Sequence, residues 1–166
     1  GTESSKNEFS ENITKLEVDA DIANIIIKTT DAAEVVVSLE EGYTKYYEAK
    51  IDGDTLYVSY DVVGHHFKQG PEIEIELPKD MVFDTINVDT DLGEVRLLKL
   101  RQSVGEVKVN SDLGNIRIED CKMKGNAIVT AALGSITIDD TLFTNLDINA
   151  DMGNVEFSGR IDGNIT

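Results

Sequence analysis

Four aspartates occupy one place in a repeated phrase, and they are the residues of this chain best suited to chemistry. Asp91, Asp112 and Asp151 each lie two residues before a glycine in "TDLGEVRL", "SDLGNIRI" and "ADMGNVEF", and Asp21 holds the same place in "ADIANIII". If the copies stack as strands, equivalent carboxylates come about 4.8 Å apart. Two negative charges at that spacing repel by about 0.9 kcal/mol even in bulk water. A Ca²⁺ ion bridging Asp91 and Asp112, with Asp89 or Asn110 adding oxygen ligands, would relieve that repulsion. Against it, Ala132 in "AALGSITI" interrupts the series and isolates Asp151. The glycine-rich nonapeptide of calcium-binding β-rolls is also missing. Aspartate just ahead of a corner glycine is ordinary turn chemistry, and the balance falls there, with no cofactor required.

Other candidates are weaker. His65 and His66 are adjacent, and neighbours on an extended loop point apart, so a shared metal would need a special bend. They read as solvated loop residues between Asp61 and Glu72. All five tyrosines lie between residues 43 and 60. Alternation puts Tyr47 and Tyr60 on a core face and Tyr46 and Tyr57 on the opposite one. There they could meet a glycan or protein, or be covered by neighbouring structure. Glycoside hydrolysis needs two carboxylates at a defined separation, which an acidic chain always offers on paper. The outward Arg96, Arg117, Thr137 and Glu156 form no acid–base set, and the region's aromatics are Phe83, Phe143 and Phe157 without a tryptophan. A carbohydrate-active enzyme is thus the alternative, and a non-enzyme the preferred reading.

The elements that would position these residues follow from the repeat. Gly93, Gly114, Gly134 and Gly153 are 21, 20 and 19 residues apart. Around each, apolar residues alternate, as in Ile86, Val88, Val95 and Leu97, or Val107, Val109, Ile116 and Ile118. Period-two alternation marks a strand with one buried face. Each unit is therefore two short strands joined at a glycine corner, where positive φ would exclude a Cβ. Leu92, Leu113 and Met152 count as inward in this scheme. A unit of about twenty residues cannot bury its face alone, so the copies must stack as a solenoid. "LEVDADIANIII" is a degraded earlier copy with Ala23 in place of the glycine. Between the copies, residues 33–77 read as an antiparallel meander with a hairpin turn at "IDGDT". No window shows helical periodicity.

Composition narrows the partners. With 32 acidic against 15 basic residues the net charge is −17, which repels phosphate backbones and excludes nucleic acid as a partner while favouring cations and cationic peptides. Cys121 is the single cysteine, so no intrachain disulfide forms. Its position matches Leu100 one unit earlier, which makes it a small buried hydrophobe. No apolar run is long enough to span a bilayer. Gly1 in place of an initiating Met, followed by polar "GTESSKNEFSEN", reads as a trimmed start and a tether from a membrane anchor or lipidated terminus.

Taken together, "FSENITKLEV", "GDTLYVSY", "IEIELPKD" and the four glycine corners resemble the toastrack, or putative-adhesin, family of bacterial cell-envelope β-solenoid domains. The resemblance runs from about Phe9 onward. It implies an extracytoplasmic place at the cell surface or secreted, a membrane segment or signal ahead of the domain, and in some members company with envelope-stress sensing. It brings no catalytic residue. The expectation is an all-β, single-domain β-solenoid. Residues 1–12 are a flexible tether, 13–80 the N-terminal strands and meander, and 81–166 the repeat rungs. The domain would bind a protein or glycan of the envelope without catalysis. The unit begun at "GRIDGNIT" would leave an open edge suited to end-to-end or edge-mediated self-association.

Overall fold

The computed structural model describes residues 5–62 and 69–166. Strands make up most of them, with no α-helix among them. The first seven strands are β1 (Ser5–Phe9), β2 (Lys15–Ile22), β3 (Asn24–Thr30), β4 (Val35–Leu39), β5 (Tyr47–Asp52), β6 (Thr55–Tyr60) and β7 (Glu72–Pro78). A 3₁₀ turn at Thr44–Tyr46 leads into β5. The repeat region supplies β8 (Val82–Leu92), β9 (Val95–Leu98), β10 (Ser103–Leu113), β11 (Ile116–Glu119), β12 (Asn126–Leu133), β13 (Ile136–Phe143), β14 (Asn145–Met152) and β15 (Val155–Ile161). No helix among the described residues is long and apolar enough to cross a membrane.

Two sheets face each other. One has the order β1-β4-β7-β3-β9-β11-β13-β15 and the other β14-β12-β10-β8-β2-β6-β5. Each repeat gives its first strand to the second sheet and its next strand to the first, and copies pair in parallel. Val88 lies beside Val109 and Val109 beside Val129, while Val95 lies beside Ile116 and Ile116 beside Ile136. The degraded copy joins the stack, with Leu16 beside Ile86 and Ile25 beside Val95. These inward positions are 0–3% exposed and form one continuous core. Parallel sheets buried on the facing side give the Val/Ile-rich alternation seen in the chain.

Residues 33–77 are not a meander. Only β5 and β6 form a consecutive hairpin, turning at Gly53 with φ +62°. Instead β6 runs parallel to β2, and β7 runs parallel to β3. Thus β6/β7 is another stacked pair, with a long connection where the other copies have a glycine corner. A strand's alternation states that one face is buried but not which way its neighbour runs, so the pattern suits a meander and a stack equally. The antiparallel strands sit at one end: β4 on β7, β1 on β4, and β5 on β6. Ser5–Phe9, assigned above to a flexible tether, is therefore an edge strand. Tyr47 of β5 donates from its hydroxyl to Asn7 of β1 at 3.3 Å, tying the two sheets together across that end.

Candidate binding surface

The corner after each first strand inverts one expectation. Period two places Thr90 and Leu92 on the same side as Val88. Thr90, Ser111 and Ala131 are indeed buried, but Leu92, Leu113, Leu133 and Met152 are 41%, 44%, 46% and 70% exposed. The core ends at the small residue, where the chain turns into the opposite sheet, so the next apolar residue lies outside the closing edge. Ser111 donates to the Gly93 carbonyl at 2.8 Å, which satisfies a polar group inside the bend.

The glycines are required mainly by close approach. A Cβ at Gly114 would lie 2.0 Å from the Gly93 carbonyl oxygen, one at Gly134 2.0 Å from that of Gly114, and one at Gly153 2.1 Å from that of Gly134. A Cβ at Gly93 would meet the Ala23 oxygen at 1.8 Å. Positive φ holds at Gly93 (+145°) and Gly114 (+152°) only, so the expectation of a left-handed corner in all four copies is corrected.

On the outer face of the second sheet the aspartates do converge. Asp19 pairs in register with Asp89, and Asp89 with Asn110. Two residues on, Asp21, Asp91 and Asp112 form a neighbouring column. The Asn110 side-chain amide donates to Asp89 at 2.9 Å and to Asp112 at 3.0 Å. Asn149 repeats this on Asp151 at 2.7 Å. Asp21 accepts the Val62 amide at 2.6 Å. Burial first, then the charges of Asp112, Asp21, Asp89 and Asp19, raise the Asp91 carboxyl above its ordinary range. Asp19 is raised by burial and then by Asp89, Asp21 and Asp61. Among the described residues no Lys or Arg forms an ion pair with Asp19, Asp21, Asp89, Asp91, Asp112 or Asp151. Nor do three or more His, Cys, Asp or Glu side chains among them group to hold a metal ion. Asn110 serves the Asp89 and Asp112 carboxylates as a hydrogen-bond donor.

Tyr46 and Tyr57 do not form a common platform. Tyr57 is exposed on the outer face of the second sheet, next to Glu17. Tyr46 belongs to the 3₁₀ turn and packs against the core, with the Lys45 ammonium 5.3 Å from its ring centre. Tyr60 is buried, edge-on to Tyr43 at 6.2 Å. Tyr47 is half-buried, and burial pushes its phenol up to about 12. His65 and His66 lie outside the described residues.

The second corner carries a device with a faint sequence signal. Lys99, Asp120 and Asp140 adopt left-handed φ of 55°, 52° and 47° at equivalent places in successive units. Two residues after the first two of them come Arg101 and Lys122, which reach the next unit. Arg101 bonds the Asp120 carbonyl and pairs with its carboxylate at 3.1 Å. Lys122 bonds the Asp140 carbonyl at 2.9 Å and its carboxylate at 3.2 Å. Cys121 between them is fully buried, and burial pushes its thiol up to about 11.

Comparison with known proteins bears on what this scaffold is. Residues 13–162 match the family model described as Toastrack DUF4097. A solved structure described as "a putative cell adhesion protein" from Clostridium sporogenes superposes with a TM-score of 0.69 at 9% identity, covering 99% of each chain. One described as "a putative adhesin" from Bacteroides fragilis gives a TM-score of 0.44 at 16% identity, covering 98% of this chain and 96% of that one. At 9% identity the likeness to the Clostridium sporogenes structure is one of fold. A comparison with curated proteins finds no match.

Proposed function

The chain belongs to the toastrack family, and from that premise we propose that it is a non-catalytic, adhesin-like binding module on a β-solenoid scaffold, displayed outside the membrane of a bacterial cell. The observation that supports this most is how the repeat is used. Its recurring letters are buried valines and isoleucines and corner glycines pressed under a neighbouring carbonyl. The letters that vary face solvent in straight columns, such as Glu17–Asn87–Lys108–Ile128–Asp147. A rigid scaffold with a variable outer face suits recognition, because pre-organised surfaces lose little entropy on binding. The partner is a protein or glycan of the envelope, and envelope-stress sensing is the regulatory setting in which such docking would act.

The test combines display and turnover. Cells carrying the chain on their surface should bind envelope material or host surfaces saturably, and cells without it should not. A glycan panel incubated with the chain, with and without Ca²⁺, should show no product. Product formation that disappears in Asp91→Asn or Asp112→Asn would overturn the module reading in favour of an enzyme.

A further inference from the structure

The exposed corner residues are not scattered. Leu92 pairs in register with Leu113, Leu113 with Leu133, and Leu133 with Met152. They make an apolar ladder running along the stack, perpendicular to the strands. Ile22 precedes Leu92 in the column and is 7% exposed. Gly70 sits so close over it that a Cβ there would meet the Ile22 carbonyl oxygen at 2.0 Å and its Cγ1 at 2.9 Å. The chain thus covers the first position of the ladder with a segment of its own backbone and leaves the next four open.

Charge and pitch decide what fits the open part. Asp21, Asp91, Asp112 and Asp151 stand immediately before Ile22, Leu92, Leu113 and Met152, with Asp19 and Asp89 behind them, and Ala132 stands before Leu133. Elsewhere acids are paired, Glu74 with Lys28 at 2.9 Å on the first sheet and Glu48 with Lys50 at 3.2 Å on β5 of the second, but no such pair reaches these aspartates among the described residues. The apolar column therefore borders negative charge that no cation among the described residues neutralises. A matching partner carries apolar residues in one line, with Lys or Arg beside them. Ladder residues recur about every 4.8 Å. One turn of α-helix rises about 5.4 Å, whereas same-face residues of an extended strand are about 6.7 Å apart. Over three steps a helix is out of register by about 2 Å and a strand by about 6 Å.

We propose that Leu92, Leu113, Leu133 and Met152, with the aspartate column beside them, form a docking stripe for a cationic amphipathic helix of a protein partner. This rests on the reading of the chain as a binding module and names the surface and the partner chemistry. The helix lies along the stack axis with its leucine-type face on the ladder and its basic edge over Asp91 and Asp112.

The probe is a labelled Leu/Lys amphipathic helix of about 18 residues, about 27 Å long. It is compared with a scrambled peptide of the same composition and with a Leu/Glu helix. The Leu/Lys helix should bind at least about tenfold more tightly than either, a difference of about 1.4 kcal/mol. Leu113→Asn with Leu133→Asn, and separately Asp91→Asn with Asp112→Asn, should each weaken it by about tenfold or more. Backbone amide shifts in the unaltered chain should change at 91–93, 112–114, 133–134 and 151–153, a readout that needs no variant to fold. Equal binding of the scrambled peptide, unchanged affinity in a folded Leu113/Leu133 variant, or shifts centred elsewhere would overturn the proposal. So would equally tight binding to phosphatidylglycerol vesicles. Surface binding without helix binding would sink this inference alone, whereas glycan turnover would sink the module reading and leave the helix measurement standing.

Discussion

Gly134 separates two reasons for a conserved-looking corner, because its backbone is not left-handed and only space forbids a side chain there. Gly134→Ala must push its unit away from the Gly114 carbonyl, and should cost about 3 kcal/mol in urea unfolding. Gly53 is the converse case: φ is +62° and nothing lies within 4 Å of a Cβ. Gly53→Ala should cost about 1 kcal/mol, the ordinary penalty of a left-handed residue. Asp91 obeys a different logic. Its folded carboxyl is raised, so the folded state holds that proton more tightly than the unfolded chain, where the ordinary value is 3.8. The charge therefore destabilises the fold above the raised value, and the effect fades as pH falls through it to below 3.8. Asp91→Asn should raise Tm at neutral pH and low salt by about 2 °C, for a gain under about 1 kcal/mol. A thermal series should show the gain shrinking in high salt and vanishing in acid.

At the scale of the element, the second corner stores removable strain. Lys99 holds φ 55° with a full side chain, and Lys99→Gly should stabilise the fold by up to about 1 kcal/mol, read as a shift of the denaturation midpoint. Much of the strand-level design was legible beforehand. The Val88–Val109–Val129 column, the hairpin at Gly53 and the parallel stacking of copies all follow from spacing and alternation. Three features were not. The exposure of Leu92 was hidden because period two tells which side a residue faces but not where the core stops. The β6/β7 pair escaped because its partner strands, β2 and β3, are distant in sequence and residues 61–71 join its strands in place of a tight corner. The Lys99–Asp120–Asp140 turns carry no common residue type, only a basic side chain two positions after the first two. At the candidate surface, the aspartates were readable as a column. Their junction with an apolar ladder was not, since it depended on the misread leucine.

At the scale of the molecule, the two ends of the stack differ. One is finished by antiparallel strands, β1 outside β4 in one sheet and β5 in the other, and the alternating charges Lys6 and Glu8 of β1 and Glu48, Lys50 and Asp52 of β5 blunt the edge. At the other, β14 and β15 are the outermost full strands. Val155 and Phe157 are 45% and 37% exposed, while their counterparts Ile136 and Ile138 are 0% and 1%. Amides of Val155–Ile161 should therefore exchange faster than those of β12 and β13 in dilute solution. Protection rising with protein concentration would show this end pairing with a second copy; equal protection at every dilution would refute the contrast between the ends.

The place of β2/β3 has a consequence in time. Its neighbours are β6/β7 on one side and β8/β9 on the other, so the order of stacking is not the order of synthesis. The pair leaves the ribosome before either flank, with both edges bare, and the flanks follow late: Leu56 comes 40 residues after Leu16 and Ile86 comes 70 after it. The downstream copies close contacts only about twenty residues apart, a far smaller loop entropy. Refolding should begin among β10–β13 and travel toward the N-terminal end. Pulse-labelled exchange should then protect Val109 and Val129 before Leu16 and Leu56.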